Sequence, residues 1–189
     1  LLSPATALAA PPAAGSHPFQ AHLHAPRAQR LAGHSTGALR AVAAAAASVL
    51  QARLGDRRSS LTVDGVTRAV LDLSLATVVR MAQAVVRNAD GASITVPRDG
   101  RLSTVAASDD VVLEMDRDQY DTGQGPCLDA ATQGQVFHIT KLAAESRWPA
   151  FVPRASARGI QSILSTPLLA QDRPVGALNI YSRTGGAFA

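Results

Sequence analysis

Apolar residues recur near helical spacing at the start of the folded part of this chain: Val66, Val70, Leu73, Val78, Met81 and Val85. Steps of three or four residues place side chains on one helix face. This spacing predicts a helix capped by Asp64 and ended between Asn88 and Gly91. The period then shortens. Ala92–Val96 and Leu102–Ala106 read as strands of a hairpin turning through Pro97-Arg98-Asp99-Gly100. Asp109 and Asp110 are placed to cap a short helix carrying Val112, Leu113 and Met115. A glycine loop then leads into a helix with Pro126 in its first turn and Gly134 at its end. Val136–Thr140 reads as a third strand. Trp148-Pro149 opens a further helix, closed by Gly159. Gln161–Ala170 and Val175–Ser182 read as the last two strands, around Gln171-Asp172-Arg173-Pro174.

The resulting order is helix, hairpin, two helices, strand, helix, hairpin. That is an α+β class with a mostly antiparallel central sheet covered by helices. The segments joining strands two and three, and three and four, are long enough to line a pocket against one sheet face. Upstream, Gly37–Leu54 is alanine-rich and predicted helical, ended by Gly55. Its small apolar surface runs nearly all round, so it needs a packing partner, for instance a second copy of itself. Asp56–Ser60 is a charged linker. Residues 1–36 are rich in Pro and Ala, hold four of the five histidines, and read as a disordered leader.

Composition narrows the class. Of 189 residues, 47% are hydrophobic and 17% charged, which is globular, and four Phe, two Tyr and one Trp leave a core of Val, Leu, Ile and Ala. Seventeen of the eighteen basic residues are Arg, a compositional bias rather than a nucleic-acid surface. Residues 1–60 carry six Arg against one acid, whereas residues 61–189 carry twelve basic and thirteen acidic groups. The folded part is nearly neutral, which argues against a general nucleic-acid binder. One cysteine excludes an internal disulfide and any CxxC metal or redox pair. No run approaches the roughly 18–20 apolar residues that cross a bilayer, so a cytoplasmic location without membrane contact is expected.

The densest chemistry lies in QYDTGQGPCLDA, Gln119–Ala130. Cys127 sits at a predicted helix N-terminus, where backbone N–H groups favour an anion and lower a thiol's pKa. The plainer alternative is a small buried hydrophobe, since no second thiol exists to resolve an oxidised one. Gly123 and Gly125 supply turn dihedrals or let backbone approach a ligand, without a dinucleotide fingerprint. Trp148, the single tryptophan, either walls a pocket or anchors its loop. His138 on the third strand reads as a satisfied structural histidine, and Asp118 and Asp129 as solvated helix-end charges. Pro167, after Ser165 and Thr166 in the fourth strand, marks an edge or a bulge.

Five pieces together carry a family resemblance: DGRLSTVAASDD (Asp99–Asp110), QYDTGQGPCLDA (Gln119–Ala130), RWPAF (Arg147–Phe151), GIQSILSTPLL (Gly159–Leu169) and GALNIYS (Gly176–Ser182). The stretch resembles a GAF domain, of the actinobacterial type often joined to an ANTAR RNA-binding domain. The resemblance implies a PAS-like antiparallel sheet of five or six strands with a ligand pocket on one face. It also implies a regulatory, non-enzymatic role: binding a small molecule, dimerising through helices, and controlling an attached output domain. The division that follows is a leader (1–36), a helix with its linker (37–60) and a GAF-like domain (61–189). A final helix and the output module, the only route to nucleic acid, are expected beyond residue 189. The candidate ligand-facing residues are Tyr120, Gly125, Cys127, Trp148 and Ser165, with no catalytic or metal-ligating set and no cofactor indicated. The cyclic-nucleotide and bilin signatures of the family are absent. Two alternatives stand beside this: a ligand-free dimerisation scaffold, and a methionine-R-sulfoxide reductase, whose family uses several cysteines where this chain has one.

Overall fold

The computed structural model describes residues 34–55 and 65–188. Residues 1–33 of the leader, the linker and the expected Asp64 cap lie outside the described residues, and the leader's last three residues, His34 to Thr36, belong to the first helix rather than to a disordered segment. Two long helices come first, α1 (His34–Gly55) and α2 (Gly65–Val85). The strands are β1 (Gly91–Arg98), β2 (Arg101–Ala107), β3 (Phe137–Ile139), β4 (Ser162–Ala170) and β5 (Arg173–Ser182). Between them run α3 (Asp110–Thr122), α4 (Pro126–Gln133) and the short α5 (Val152–Ala157). The five strands form one sheet in the order β2-β1-β5-β4-β3, with every pairing antiparallel. The α+β class and the antiparallel sheet are those expected from the sequence.

Local chemistry explains the boundaries. Asp109 caps α3, its side chain accepting from the Val112 N–H, and Gly123 and Gly134 end α3 and α4 in left-handed conformations. Both hairpins turn on two residues with positive φ, Asp99-Gly100 and Gln171-Asp172, a geometry that matches strand twist. The turns are therefore shorter than the four-residue segments expected, and Pro97 and Pro174 belong to strands. Pro97 is tolerated because β1 pairs with β5 only as far as Thr95. Pro167 is tolerated because β3 stops opposite Ser165, and a register shift follows at Leu168/Leu169.

The sheet is covered on both faces, and the two faces differ in chemistry. The outer face presents Ala92, Ile94, Leu164, Leu168, Leu178 and Ile180 to α1 and α2, which bury Leu39, Val42, Ala46, Leu50, Leu75, Val79 and Ala82. So α1 finds its partner within its own chain, on α2, β4 and β5. Along α2 and the residue that follows it, the buried stripe is Leu75, Val78, Val79, Ala82 and Val86. Of the stripe read from the sequence, Val78 alone among the residues whose burial is described belongs to it. Val70, Leu73, Met81 and Val85 are 57%, 63%, 49% and 41% exposed, because α2 carries two apolar stripes and the sheet takes the other one. Among the described residues no helix is long and apolar enough to cross a membrane.

Candidate functional site

The inner face of the sheet is polar where the outer face is apolar. Alternation along each strand sends Ser93 and Thr95 of β1, and Asn179 and Tyr181 of β5, to the side opposite Ile94 and Ile180. Ser93, Asn179 and Ser165 stand opposite one another in register across β1, β5 and β4. All three are completely buried. Helices α3 and α4 lie over them.

From α3, positions 112, 115, 116 and 119 follow helical spacing toward the sheet. Two are apolar, Val112 and Met115, and two are polar, Asp116 and Gln119; all four are buried. The Asp116 carboxylate accepts from the Tyr181 hydroxyl at 2.6 Å and from the Thr104 hydroxyl at 2.7 Å. Thr104 and Tyr120 are 2.9 Å apart through their oxygens, as are Tyr120 and Thr95. The Asn179 amide donates to Ser93 and Thr95, each at 3.2 Å. Gln119 bridges helices and sheet: its Nε2 donates to Tyr181 at 2.9 Å, and its Oε1 accepts the Cys127 backbone N–H at 2.9 Å.

Burial dominates the electrostatics. Among the described residues no Lys, Arg or His pairs with Asp116. Desolvation lifts its carboxyl to about 6, against the opposing pull of the hydroxyls of Tyr181, Thr104 and Ser93. Burial, and then the nearby Asp116 charge, push Cys127 and Tyr181 well up, and Tyr120 as well. Cys127 therefore stays a thiol at neutral pH, and the activation expected from a helix N-terminus is outweighed. The N-terminal N–H of α4 is in any case occupied by Gln119, a neutral acceptor standing where an anion was envisaged.

The sequence-based candidates divide. Tyr120, Gly125, Cys127 and Ser165 gather around the polar layer. Gly125 has φ 148°, and a Cβ there would overlap the Gln119 side chain. Trp148 lies apart: its indole N–H donates to Asp129 at 2.9 Å, Arg147 stacks over its ring at 4.4 Å, and Phe137 meets it edge-on. It serves there as the packing anchor of its loop. Asp129 is therefore engaged rather than solvated. Asp118 is buried and takes Arg158 at 2.6 Å and Arg154 at 3.5 Å, tying α3 to α5. His138 also departs from expectation, since both ring nitrogens are buried without a hydrogen-bond partner and burial lowers its pKa. The residues missed from the sequence are Asp116, Gln119, Ser93, Thr95, Thr104, Asn179 and Tyr181. For Ser93, Thr95, Asn179 and Tyr181 the signal was the alternation along β1 and β5, which pattern alone assigns to a solvated face. Among the described residues no three His, Cys, Asp or Glu side chains are grouped to hold a metal ion.

A five-stranded antiparallel sheet closed by helices on both faces, with a polar inner layer, defines an α+β domain of the PAS-like class. A family model described as the GAF domain matches residues 61–189, and the chain belongs to that family. Among solved structures, the GAF domain region of a Geobacter sulfurreducens PCA protein is similar at 16% identity and a TM-score of 0.55, over 65% of this chain and 82% of that one. A Burkholderia vietnamiensis protein described as a GAF sensor is similar at 15% identity and a TM-score of 0.52, over 83% and 85%. A type II free methionine-R-sulfoxide reductase from Thermoplasma acidophilum is similar at 19% identity and a TM-score of 0.49, over 62% and 78%. At these identities the first two likenesses show the fold alone. Among curated proteins none matches the chain.

Proposed function

We propose that this chain is a non-enzymatic sensory module that takes up a small molecule at its inner sheet face and controls an attached output domain. The observation that carries this reading is the pair Ser165 Oγ and Asn179 Oδ1. Both are buried without a hydrogen-bond partner, and the two residues are register neighbours on β4 and β5. Buried polar groups are nearly always paired, and each orphan costs about 1–3 kcal/mol. A ligand bearing matching polar groups relieves that cost on entering between the sheet and α4. The strand that carries Asn179 and Tyr181 runs directly into the C-terminal segment, where Phe188 packs into the α1/α2 core. That continuity provides a route from the inner face toward an output, and an RNA-binding ANTAR domain acting in the cytoplasm is the output that the resemblance implies. A reductase reading finds no support in the one cysteine, which is buried and held as a thiol. Native mass spectrometry of the purified protein, followed by thermal shift with any compound found, tests the reading. Binding should raise Tm by mass action, and Asn179→Ala should abolish the rise. The reading fails if nothing co-purifies and a broad metabolite screen moves Tm nowhere. Methionine sulfoxide with a thiol reductant should give no turnover.

The exposed stripe of Val70, Leu73, Met81 and Val85 on α2 favours an accompanying role as a homodimer. Light scattering on the full chain should give a dimer, and Leu73→Glu with Met81→Glu should give a monomer. A monomeric wild-type protein removes the dimer.

A further inference from the structure

The hydroxyls of the inner layer form a chain with one direction. Thr104 must donate to Asp116, because an ionised carboxylate only accepts. Its oxygen is then the acceptor for Tyr120, whose own oxygen is the acceptor for Thr95. Thr95 in turn accepts from the Asn179 amide. Every donor along Asn179–Thr95–Tyr120–Thr104–Asp116 therefore points toward the carboxylate, and Asn179 is left with its carbonyl oxygen unpaired at the far end. We propose that Asp116 is a buried proton-binding site, and that taking up a proton reverses this chain and turns the Asn179 amide.

Once protonated, Asp116 donates to Thr104. Thr104 then donates to Tyr120, Tyr120 to Thr95, and Thr95 to the Asn179 carbonyl. The unpaired end of Asn179 changes from acceptor to donor, next to Ser165 in the register. No bond between heavy atoms is made or broken, and the only species added is the proton from solvent. The other titratable groups facing Asp116 are Tyr120 on α3, Tyr181 on β5 and Cys127 on α4. All three are held protonated by burial and by the Asp116 charge. β1 and β2 contribute only the uncharged hydroxyls of Ser93, Thr95 and Thr104. On the opposite side of α3, Glu114 and Asp118 pair with Arg158, the residue that ends α5, and Asp129 of α4 is bonded to Trp148. Asp116 is thus the group of this layer that changes charge in mildly acidic solution, consistent with its carboxyl lying near 6. Its consequence for ligand choice rests on the ligand-binding reading above, whereas proton uptake does not.

The chain contains two tyrosines, and both belong to this layer. Full-length protein labelled at tyrosine Cζ therefore reports on it by NMR. Both resonances should titrate together with a midpoint near pH 6, and Asp116→Asn should abolish the titration. Because the folded carboxyl lies above its unfolded value of 3.8, stability should fall as pH rises through that midpoint. The wild-type Tm should therefore rise from pH 7.5 to pH 5, and that rise should be absent in Asp116→Asn. A second variant, Thr104→Val, cuts the chain beside Asp116. Tyr181 should still titrate and Tyr120 should lose its shift. Wild-type tyrosine resonances flat between pH 4.5 and 7.5 overturn the proton site. An unchanged Tyr120 titration in Thr104→Val overturns the reversal while leaving the ligand-binding reading standing.

Discussion

Replacing Gly125 by Ala tests the junction between α3 and α4 most sharply. At φ 148° the backbone lies in a region that only glycine adopts without strain, and a side chain held there costs about 1–3 kcal/mol. The added methyl would also overlap Gln119, whose amide is fixed at both ends, by Tyr181 and by the Cys127 N–H. If Gln119 moves aside, at least one buried group loses its partner, at about 1–3 kcal/mol. Together these predict a loss of about 2–6 kcal/mol, a large share of the roughly 5–15 kcal/mol that holds a typical domain. Gly123→Ala is the control. Its φ is 63° and a Cβ there meets nothing within 4 Å, so only the left-handed cost of about 1–2 kcal/mol applies. Urea unfolding of the two variants beside wild type gives both differences. If Gly125→Ala costs no more than Gly123→Ala, Gln119 is not fixed as described, and the account of the α4 N-terminus fails.

Three further outcomes follow from the same geometry. Cys127 is buried and held as a thiol, so iodoacetamide at pH 8 should label native protein about 100-fold or more slowly than urea-unfolded protein, the rate being set by local opening; a native rate near the unfolded one contradicts its burial. Tyr181→Phe removes a hydrogen bond to a charged acceptor, and should cost about 1.5–3 kcal/mol at pH 7.5. The loss should shrink toward pH 5, where Asp116 is neutral, because losing this donor raises its carboxyl further; a loss that is equal at both pH values denies the carboxylate its charge. Trp148→Phe removes the indole bond to the Asp129 carboxylate and should cost about 1.5–3 kcal/mol in urea unfolding. Asp129→Asn, which keeps an acceptor, should cost less, and the reverse order contradicts the anchor.

The fold was largely legible because each element carries its own punctuation. Asp109, Gly123, Gly134 and Gly159 mark helix ends by side-chain capping or by a backbone conformation that other residues resist. Strand ends were harder, since Pro97 and Pro174 look like turn residues until the neighbouring strand is known to stop short. The α2 face was misassigned for a similar reason: two apolar stripes share one helix, and only the sheet decides which is buried. The inner layer was the least legible part. Ser93 and Thr95 between Ala92, Ile94 and Val96 have the pattern of a strand with one wet face, and Asp116 beside Arg117 and Asp118 has that of an exposed helix turn. Periodicity locates a face but says nothing of what covers it. Here α3 and α4 do, and so a polar face became a second interior.

That second interior bears on how a signal would leave it. β5 lies at the centre of the sheet and contributes to both faces, Leu178 and Ile180 outward and Asn179 and Tyr181 inward. A tilt or slide that re-pairs Asn179 therefore also moves two side chains packed under α1 and α2. Interiors at native density do not absorb such movement locally. The strand ends at Ser182, which bonds Asp90, and the chain runs on to Gly186, whose N–H is held by the Thr140 carbonyl, and to Phe188 in the outer core. Substitutions at Ser182 or Phe188 should thus uncouple events on the inner face from the α1/α2 layer without touching the hydroxyl chain itself.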